Sequence, residues 1–167
     1  MKIFILINKI FDKVFIFENM KEEKTDKSLT LVFVYGTLKK GFYNHANRLD
    51  GSAGYAKFIK NDWVNGQLYD LGVFPAAVLN YNADLDGSNE SEITQLQTPT
   101  AMPPQKIFGE VYEIDMNVLQ KLDRLEGYPA YYNRSKVKTR SGLEVWIYHM
   151  DSDSVQGNPI IESGIWE

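Results

Sequence analysis

The stretch that most constrains this chain is Leu31-Val-Phe-Val-Tyr-Gly-Thr-Leu-Lys-Lys-Gly41. Its first half is β-branched and aromatic with no polar interruption. A strand that alternates apolar and polar residues keeps one face in water, whereas a continuous apolar run belongs to a strand covered on both faces. Extended back to Leu29, the run predicts such a strand over Leu29–Tyr35. It stops abruptly at Gly36, and a polar, basic turn runs on to Gly41. A glycine directly after a strand lets the backbone turn sharply and aim its N–H groups at a ligand. The turn is therefore a candidate binding element.

The rest of the composition narrows the chemistry that such a turn can serve. The chain has 167 residues, 44% of them hydrophobic and 13% aromatic, enough for one folded domain with a real core. Eighteen basic against twenty-two acidic residues give a net charge of −4, which lacks the electrostatic footprint of a nucleic-acid binder. Cysteine is absent, which excludes disulfides, thiolate zinc sites and a cysteine nucleophile. His45 and His149 are the only histidines. No spacing supports a zinc site around either, and no G-x-S-x-G turn offers a serine for them to activate. Carboxylates remain as the obvious proton handlers.

Met1–Met20 carries lysines at 2, 9 and 13, too many and too close for a spanning helix of ~20 apolar residues. A lysine ahead of the apolar run Ile3–Ile7 has the start of a secretory signal, but the run is short and no small-x-small site follows. The expectation is an N-terminal extension over residues 1–28, peripheral or disordered, ending in the charged linker Lys21–Ser28. The domain then covers 29–167, in a cytoplasmic protein that no membrane holds. After the turn, Phe42–Leu49 reads as a short helix. Gly51–Ile59 and Val64–Tyr69 read as strands around a turn at Asn61–Asp62, and Ala76–Tyr81 as another strand after the turn residues Gly72 and Pro75. Residues 82–104 are polar and hold three prolines, the composition of a long surface loop.

Lys106–Ile114 returns to strand, with Phe108, Val111, Tyr112 and Ile114 available to the core. Asp115 is a good N-cap for a helix over Met116–Glu126. Val118, Leu122 and Leu125 give it an apolar stripe that Leu119 broadens, and Gly127 with Pro129 ends it. Arg134–Thr139 and Leu143–Met150 pair as a hairpin around Ser141–Gly142. There Val145 and Ile147 face inward, alternating with Glu144, Trp146 and Tyr148. The tail Pro159–Trp166 is apolar enough to dock. About seven short strands and one clear helix predict an α+β domain built on a small, curled or closed, mostly antiparallel β-barrel with flanking helices.

Two motifs fail as sites. Gly36 and Gly41 have phosphate-loop spacing, but Phe42 and Tyr43 stand where lysine and serine or threonine are needed. Asp151–Gly157 begins like a calcium loop, yet its glycine falls one place late and no twelfth-position glutamate follows. Glu126 is different. It sits in the last turn of a helix, where the macrodipole disfavours negative charge, and Gly-Tyr-Pro-Ala-Tyr-Tyr follows it. Aromatics around a carboxylate raise its pKa toward that of a general base working near neutrality. A solvent-exposed glutamate, or a partner for Arg124 or Arg134, is the plainer alternative.

Four motifs occur in order: Val34-Tyr-Gly-Thr-Leu-Lys-Lys-Gly41, Gly66-Gln-Leu-Tyr-Asp-Leu-Gly-Val-Phe-Pro75, Gly109-Glu-Val-Tyr112 and Leu122-Asp-Arg-Leu-Glu-Gly-Tyr-Pro-Ala-Tyr-Tyr-Asn-Arg134. Together they resemble the gamma-glutamylcyclotransferase-like, or AIG2-like, family. Leu31–Gly41 followed by Asn44-His45 is most similar to its gamma-glutamylaminecyclotransferase branch. The resemblance runs from about Leu31 to Trp166 and implies the small barrel just described, without metal or cofactor. It implies cleavage of a small-molecule γ-glutamyl amide by attack of its own α-amine, releasing 5-oxoproline and an amine or amino acid. Glu126 matches the family's proton-transferring glutamate. Tyr35, Gly36, Thr37 and Leu38 match its substrate-binding turn, whose backbone N–H groups could hold the glutamyl carboxylate or the oxyanion. Tyr132 is a candidate orienting hydroxyl or, alternatively, a core tyrosine. A monomer or weak homodimer, with no nucleic-acid or membrane partner, is expected. Ser163-Gly-Ile-Trp166 departs from the family's Ser-Gly-Asp-Trp, which bears on docking of the tail more than on chemistry. Some family members lack the glutamate, so a non-catalytic metabolite-binding or protein-interaction module on the same fold is the competing reading.

Overall fold

The computed structural model describes residues 28–79 and 105–167. The expectations for the N-terminal extension up to residue 27, the loop at 82–104 and the end of the strand at Tyr81 fall outside those residues. The elements in chain order are β1 (Leu29–Val34), a single helical turn α1 (Tyr43–Ala46), β2 (Ala56–Asp70), β3 (Pro75–Leu79), β4 (Lys106–Asp115), α2 (Met116–Leu125), β5 (Asn133–Lys138) and β6 (Glu144–His149). The strands form one six-stranded sheet in the order β3-β2-β4-β1-β6-β5. Every neighbouring pair is antiparallel except β1 and β6. The sheet is mixed and curled, and the domain is α+β as the pattern predicts.

β1 lies in the interior of the order, between β4 and β6, which is why its sequence does not alternate. Val32 and Val34 enter one buried cluster with Ile114, Val118 and Leu122. Phe33 and Tyr35 enter a second, on the opposite face, with Val64, Ile107, Val111 and Ile147. Two faces packed at once fix the register of β1, since a slip by one residue would exchange the two sets.

β2 differs from the expectation of two strands. It is one strand of 15 residues, because the presumed turn at Asn61–Asp62 pairs with β4 through Asn61↔Glu110 and Asp62↔Gly109. The register shifts between Phe58 and Lys60, an extra residue absorbed as a β-bulge. Residues 57–61 are solvent-exposed, so their polar composition imitates a turn. β4 also corrects two positions. Ile107 is buried, whereas Phe108 is exposed to 38%.

Two ties curl the sheet. Arg140 N–H at the tip of the β5–β6 hairpin donates to the Trp63 carbonyl of β2 at 2.9 Å, and Met150 N–H after β6 donates to Ala77 of β3 at 2.9 Å. This closure buries Tyr148, which a one-sided β6 would have left in water. The tail docks as expected, through Asp70 N–H to Pro159, Ile161 N–H to Leu68 and Phe108 N–H to Gly164. Gly164 has φ +65° and lies against the Lys106 carbonyl, so no larger residue fits.

α2 is amphipathic and buries Val118, Leu119 and Leu122 against the sheet. Truncating one such leucine typically removes about 2–5 kcal/mol. Asp115 caps the helix by accepting from Val118 N–H at 2.9 Å, and its other oxygen accepts from Tyr55 N–H at 3.0 Å. Glu126 is the C-cap, and Gly127 leaves the helix at φ +64°. Among the described residues no helix is long and apolar enough to cross a membrane.

Candidate active site

The end of β1 and the end of α2 open onto one cleft of about 240 Å³. The β1 side supplies Tyr35, Gly36, Thr37 and Leu38, and the α2 side supplies Leu125 and Glu126, with Tyr131 and Tyr132 from the following loop. All six residues singled out in the sequence therefore share a single cavity, although 88 positions separate Leu38 from Glu126.

The turn is built by close approach. Lys39 N–H donates to the Gly36 carbonyl at 2.9 Å, and Lys40 N–H donates to the Glu110 carboxylate at 2.9 Å. Glu110 also accepts from the Tyr112 hydroxyl at 2.8 Å, which lies 3.1 Å from His45 Nε2. A Cβ on Gly36 would meet Pro75 Cγ at 2.7 Å, so glycine is required here by space. Thr37 Oγ1 accepts from Asn44 Nδ2 at 3.0 Å. No acceptor among the described residues takes the N–H of Thr37 or Leu38. Both remain available to a ligand.

Opposite, Glu126 is held by the backbone on either side of it. Its N–H completes the last turn of α2 to Leu122, and its carbonyl accepts from Tyr132 N–H. Burial among the aromatic side chains pushes its carboxyl up to about 7, far above the ordinary 4.5. Neither arginine suggested as a partner neutralises it. Arg134 binds both oxygens of Asp123, at 2.6 and 2.8 Å, and stacks between the Tyr128 and Trp146 rings. Arg124 is an exposed residue and faces a separate basin. Among the described residues nothing hydrogen-bonds the Glu126 carboxylate.

The two tyrosine hydroxyls are held by protein groups. Tyr35 Oη donates to the Tyr148 carbonyl at 2.9 Å and accepts from Ala77 N–H at 3.1 Å. It pins β3 to β6, leaving its backbone and ring to face the cleft. Tyr132 Oη donates to the Pro75 carbonyl at 2.9 Å, so it fixes the residue packed against Gly36 and keeps only lone pairs for a ligand. Burial pushes both phenols up, and the Glu126 charge pushes them further. Both phenols therefore lie within electrostatic range of the Glu126 carboxyl.

Sequence reasoning missed Phe33, Asn44, Phe74 and Tyr148 as cleft residues. Phe74 packs edge-on against Tyr131, at 6.2 Å between ring centroids. Asn44 carried a faint signal as a polar residue just beyond the basic turn. Phe33 and Tyr148 looked like ordinary strand residues, and only the curl of the sheet brings them to the cavity. Among the described residues no group of three or more acids and histidines is placed to hold a metal ion.

Comparison with known proteins bears on this arrangement. Residues 32–167 match the model of the family described as "Gamma-glutamyl cyclotransferase, AIG2-like". The Gamma-glutamylaminecyclotransferase of Bos taurus is 34% identical over 127 residues, 72% of this chain and 65% of that protein. The crystal structure of an AIG2-like protein from Mus musculus superimposes with a TM-score of 0.56 at 26% identity, covering 81% of this chain and 87% of that one. That of an uncharacterized protein from Pyrococcus horikoshii gives 0.56 at 28% identity, covering 81% and 88%.

Proposed function

The chain belongs to the gamma-glutamyl cyclotransferase, AIG2-like family, and on that premise we propose that it cyclises γ-glutamyl amides to 5-oxoproline with Glu126 as base and then acid. The observation that carries this reading is a carboxyl raised to about 7 in the same cleft as two unclaimed turn N–H groups.

The substrate's α-amine arrives as an ammonium, which has no lone pair. Its ordinary pKa is ~8, so a base near 7 accepts the proton at a penalty of about one pH unit, or ~1.4 kcal/mol. A carboxylate at its ordinary value would face ~3.5 units, about 5 kcal/mol. The desolvation of Glu126 thus removes roughly 3 kcal/mol from the first proton transfer. The freed amine attacks the γ-carbonyl carbon. An N–C bond forms, the carbonyl oxygen becomes an oxyanion, and the Thr37 and Leu38 N–H groups are placed to receive it or the α-carboxylate. Collapse breaks the bond to the leaving nitrogen, which takes the proton from Glu126. The re-ionised Glu126 then removes the second proton from the ring nitrogen and passes it to the departing amine, which leaves as an ammonium. Atoms balance without water: one amide gives one lactam and one amine.

The aromatic walls, Phe74, Tyr131 and Tyr132 among them, suit the methylene chain of the glutamyl group and exclude the water that would solvate Glu126. The test is release of 5-oxoproline from a panel of γ-glutamyl amides and dipeptides. General-base loss typically lowers rates by ~10²–10⁴, so Glu126→Gln should fall by that factor. Equal turnover by wild type and variant would reject the mechanism, and tight metabolite binding with no turnover of any panel member would favour a binding module.

A further inference from the structure

The turn after β1 is fixed at its inner end, where Gly36 lies against Pro75 and the Tyr35 hydroxyl joins Tyr148 to Ala77. Beyond it the chain makes two successive turns. Lys39 N–H closes the first on the Gly36 carbonyl at 2.9 Å, and Phe42 N–H closes the second on the Lys39 carbonyl at 3.1 Å. Gly41, at φ +98°, takes the place that a type II turn reserves for glycine. The single hydrogen bond of a β-turn uses the N–H of its fourth residue and leaves those of its central residues free. Thr37 and Leu38, central in the first turn, line the cleft and keep theirs for a ligand. Lys40, central in the second, gives its N–H to the Glu110 carboxylate at 2.9 Å.

Glu110 does not meet the turn as a loose side chain. The oxygen that takes Lys40 N–H also accepts from the Tyr112 hydroxyl at 2.8 Å, and that hydroxyl lies 3.1 Å from His45 Nε2. Because the Tyr112 proton is committed to Glu110, Nε2 must be the donor to Tyr112. The network is thus directed from His45 to Tyr112 to Glu110, and Lys40 N–H meets it from the other side. Tyr112 is buried in β4, with its ring 5.6 Å from that of Phe58 and 5.7 Å from that of His45. α1 reaches the turn a second time, through Asn44 Nδ2 to Thr37 Oγ1 at 3.0 Å. Lys39 Nζ adds a tie to the Trp166 carbonyl of the tail. Lys40 is exposed, so water alone would satisfy its N–H. A carboxylate braced by two further side chains does what water cannot, which is to fix the direction of the peptide.

We propose that Glu110 is the positioning residue of this cradle: through Lys40 it fixes the outer end of the turn, and with it the aim of the Thr37 and Leu38 N–H groups. Tyr112 and His45 fix Glu110 in turn. The effect on rate rests on the cyclotransferase reading above. Glu110 does not line the cleft, so it acts on substrate only through the backbone that it holds. Lys40 stands two residues beyond Leu38, close enough for freedom at one to reach the other. Donors that stabilise an oxyanion work because they are set before the charge forms. A displacement of about 1 Å in such a group can cost about 100-fold in rate.

The test compares Glu110→Ala, Glu110→Gln and Tyr112→Phe with wild type in two measurements. One is the NMR order parameter of the Thr37 and Leu38 amides; the other is kcat/KM against pH for release of 5-oxoproline from γ-glutamyl amides. Order parameters of about 0.85 in wild type should fall to about 0.6 or lower in Glu110→Ala. The same variant should lose about 10- to 100-fold in kcat/KM. Its apparent pKa should stay near 7, because Glu126 is untouched. Glutamine keeps an acceptor oxygen, so Glu110→Gln should restore the order parameters and bring kcat/KM to within about threefold of wild type. Wild-type order parameters in Glu110→Ala overturn the proposal, as do loosened amides with an unchanged kcat/KM. A loss that glutamine fails to restore, or that comes with a moved pKa, also overturns it, since Glu110 then acts through its charge. Should Glu110→Ala not fold, Tyr112→Phe decides. It leaves Glu110 in place without its brace and should lower order parameters and kcat/KM together; wild-type values of both overturn the proposal. If wild type releases no 5-oxoproline from any substrate, the cyclotransferase reading fails, and the order parameters alone decide whether Glu110 holds the turn.

Discussion

Glu126→Gln should stabilise the protein while lowering its activity, and the size of the gain depends on pH. The carboxyl titrates at about 7 in the folded chain against an ordinary 4.5. Its folded pKa is raised, so its contribution to stability is fully present below 4.5 and is lost as pH climbs to 7, where the unfolded chain has released a proton that the fold retains. At about 1.36 kcal/mol per pH unit the full loss is about 3.4 kcal/mol, of which about 2.5 kcal/mol falls between pH 5 and pH 8.5. Glutamine matches the protonated side chain in shape and never ionises, so the variant escapes that loss. Urea unfolding of both proteins at pH 5 and pH 8.5 isolates the effect, since every other titrating group cancels in the difference. The advantage of glutamine should be about 2.5 kcal/mol larger at pH 8.5, equivalent to roughly 5–10 °C in Tm for a domain of this size. In the same window kcat/KM of the wild type should rise with pH, with an apparent pKa near 7. An advantage equal at the two pH values would mean that water solvates the carboxylate, and the argument for Glu126 as a tuned base would fail with it.

Gly36→Ala should lower kcat/KM by tenfold or more and destabilise by about 1–3 kcal/mol, because the new methyl would lie 2.7 Å from Pro75 Cγ and must push the turn off the cleft; steady-state kinetics with thermal melts check it. Tyr35→Phe should lose about 1–3 kcal/mol, since it strands the buried Ala77 N–H and Tyr148 carbonyl that the hydroxyl joins; amide exchange at Ala77 should accelerate beyond any rise in global unfolding. Asp115→Ala should cost about 1–2 kcal/mol by removing the cap of α2, and Asp115→Asn should restore most of it, as read from urea midpoints.

What the sequence made legible was whatever rests on local pattern. The continuous run in β1 announced a strand covered on both faces, and Asp115, Gly127 and Pro129 bracketed α2 to within a residue. The polar stretch of β2 misled because Asn61 is an exposed and Asp62 a half-buried strand residue, and solvent-facing strand and turn draw on the same amino acids. Tyr148 misled for the converse reason: alternation describes an open sheet, and the Met150–Ala77 tie that covers its second face joins elements more than seventy residues apart. The site divides in the same way. Glu126 and the Tyr35–Leu38 turn could be named because each lies at a punctuated end of an element, where a motif is visible. The environment that raises the Glu126 pKa has no such signature. Its raised pKa depends on Arg134 being committed to Asp123, on the Tyr132 and Tyr35 hydroxyls being turned to the Pro75 and Tyr148 carbonyls, and on no cation reaching the carboxylate. Had Arg134 turned to Glu126 instead, the same motif would hold an ordinary ion pair with a depressed pKa and no use as a base near neutrality. The choice between those outcomes is made by Asp123, three residues before Glu126 and, like it, half-buried, which collects the arginine and the Tyr148 hydroxyl and so leaves its neighbour unpaired.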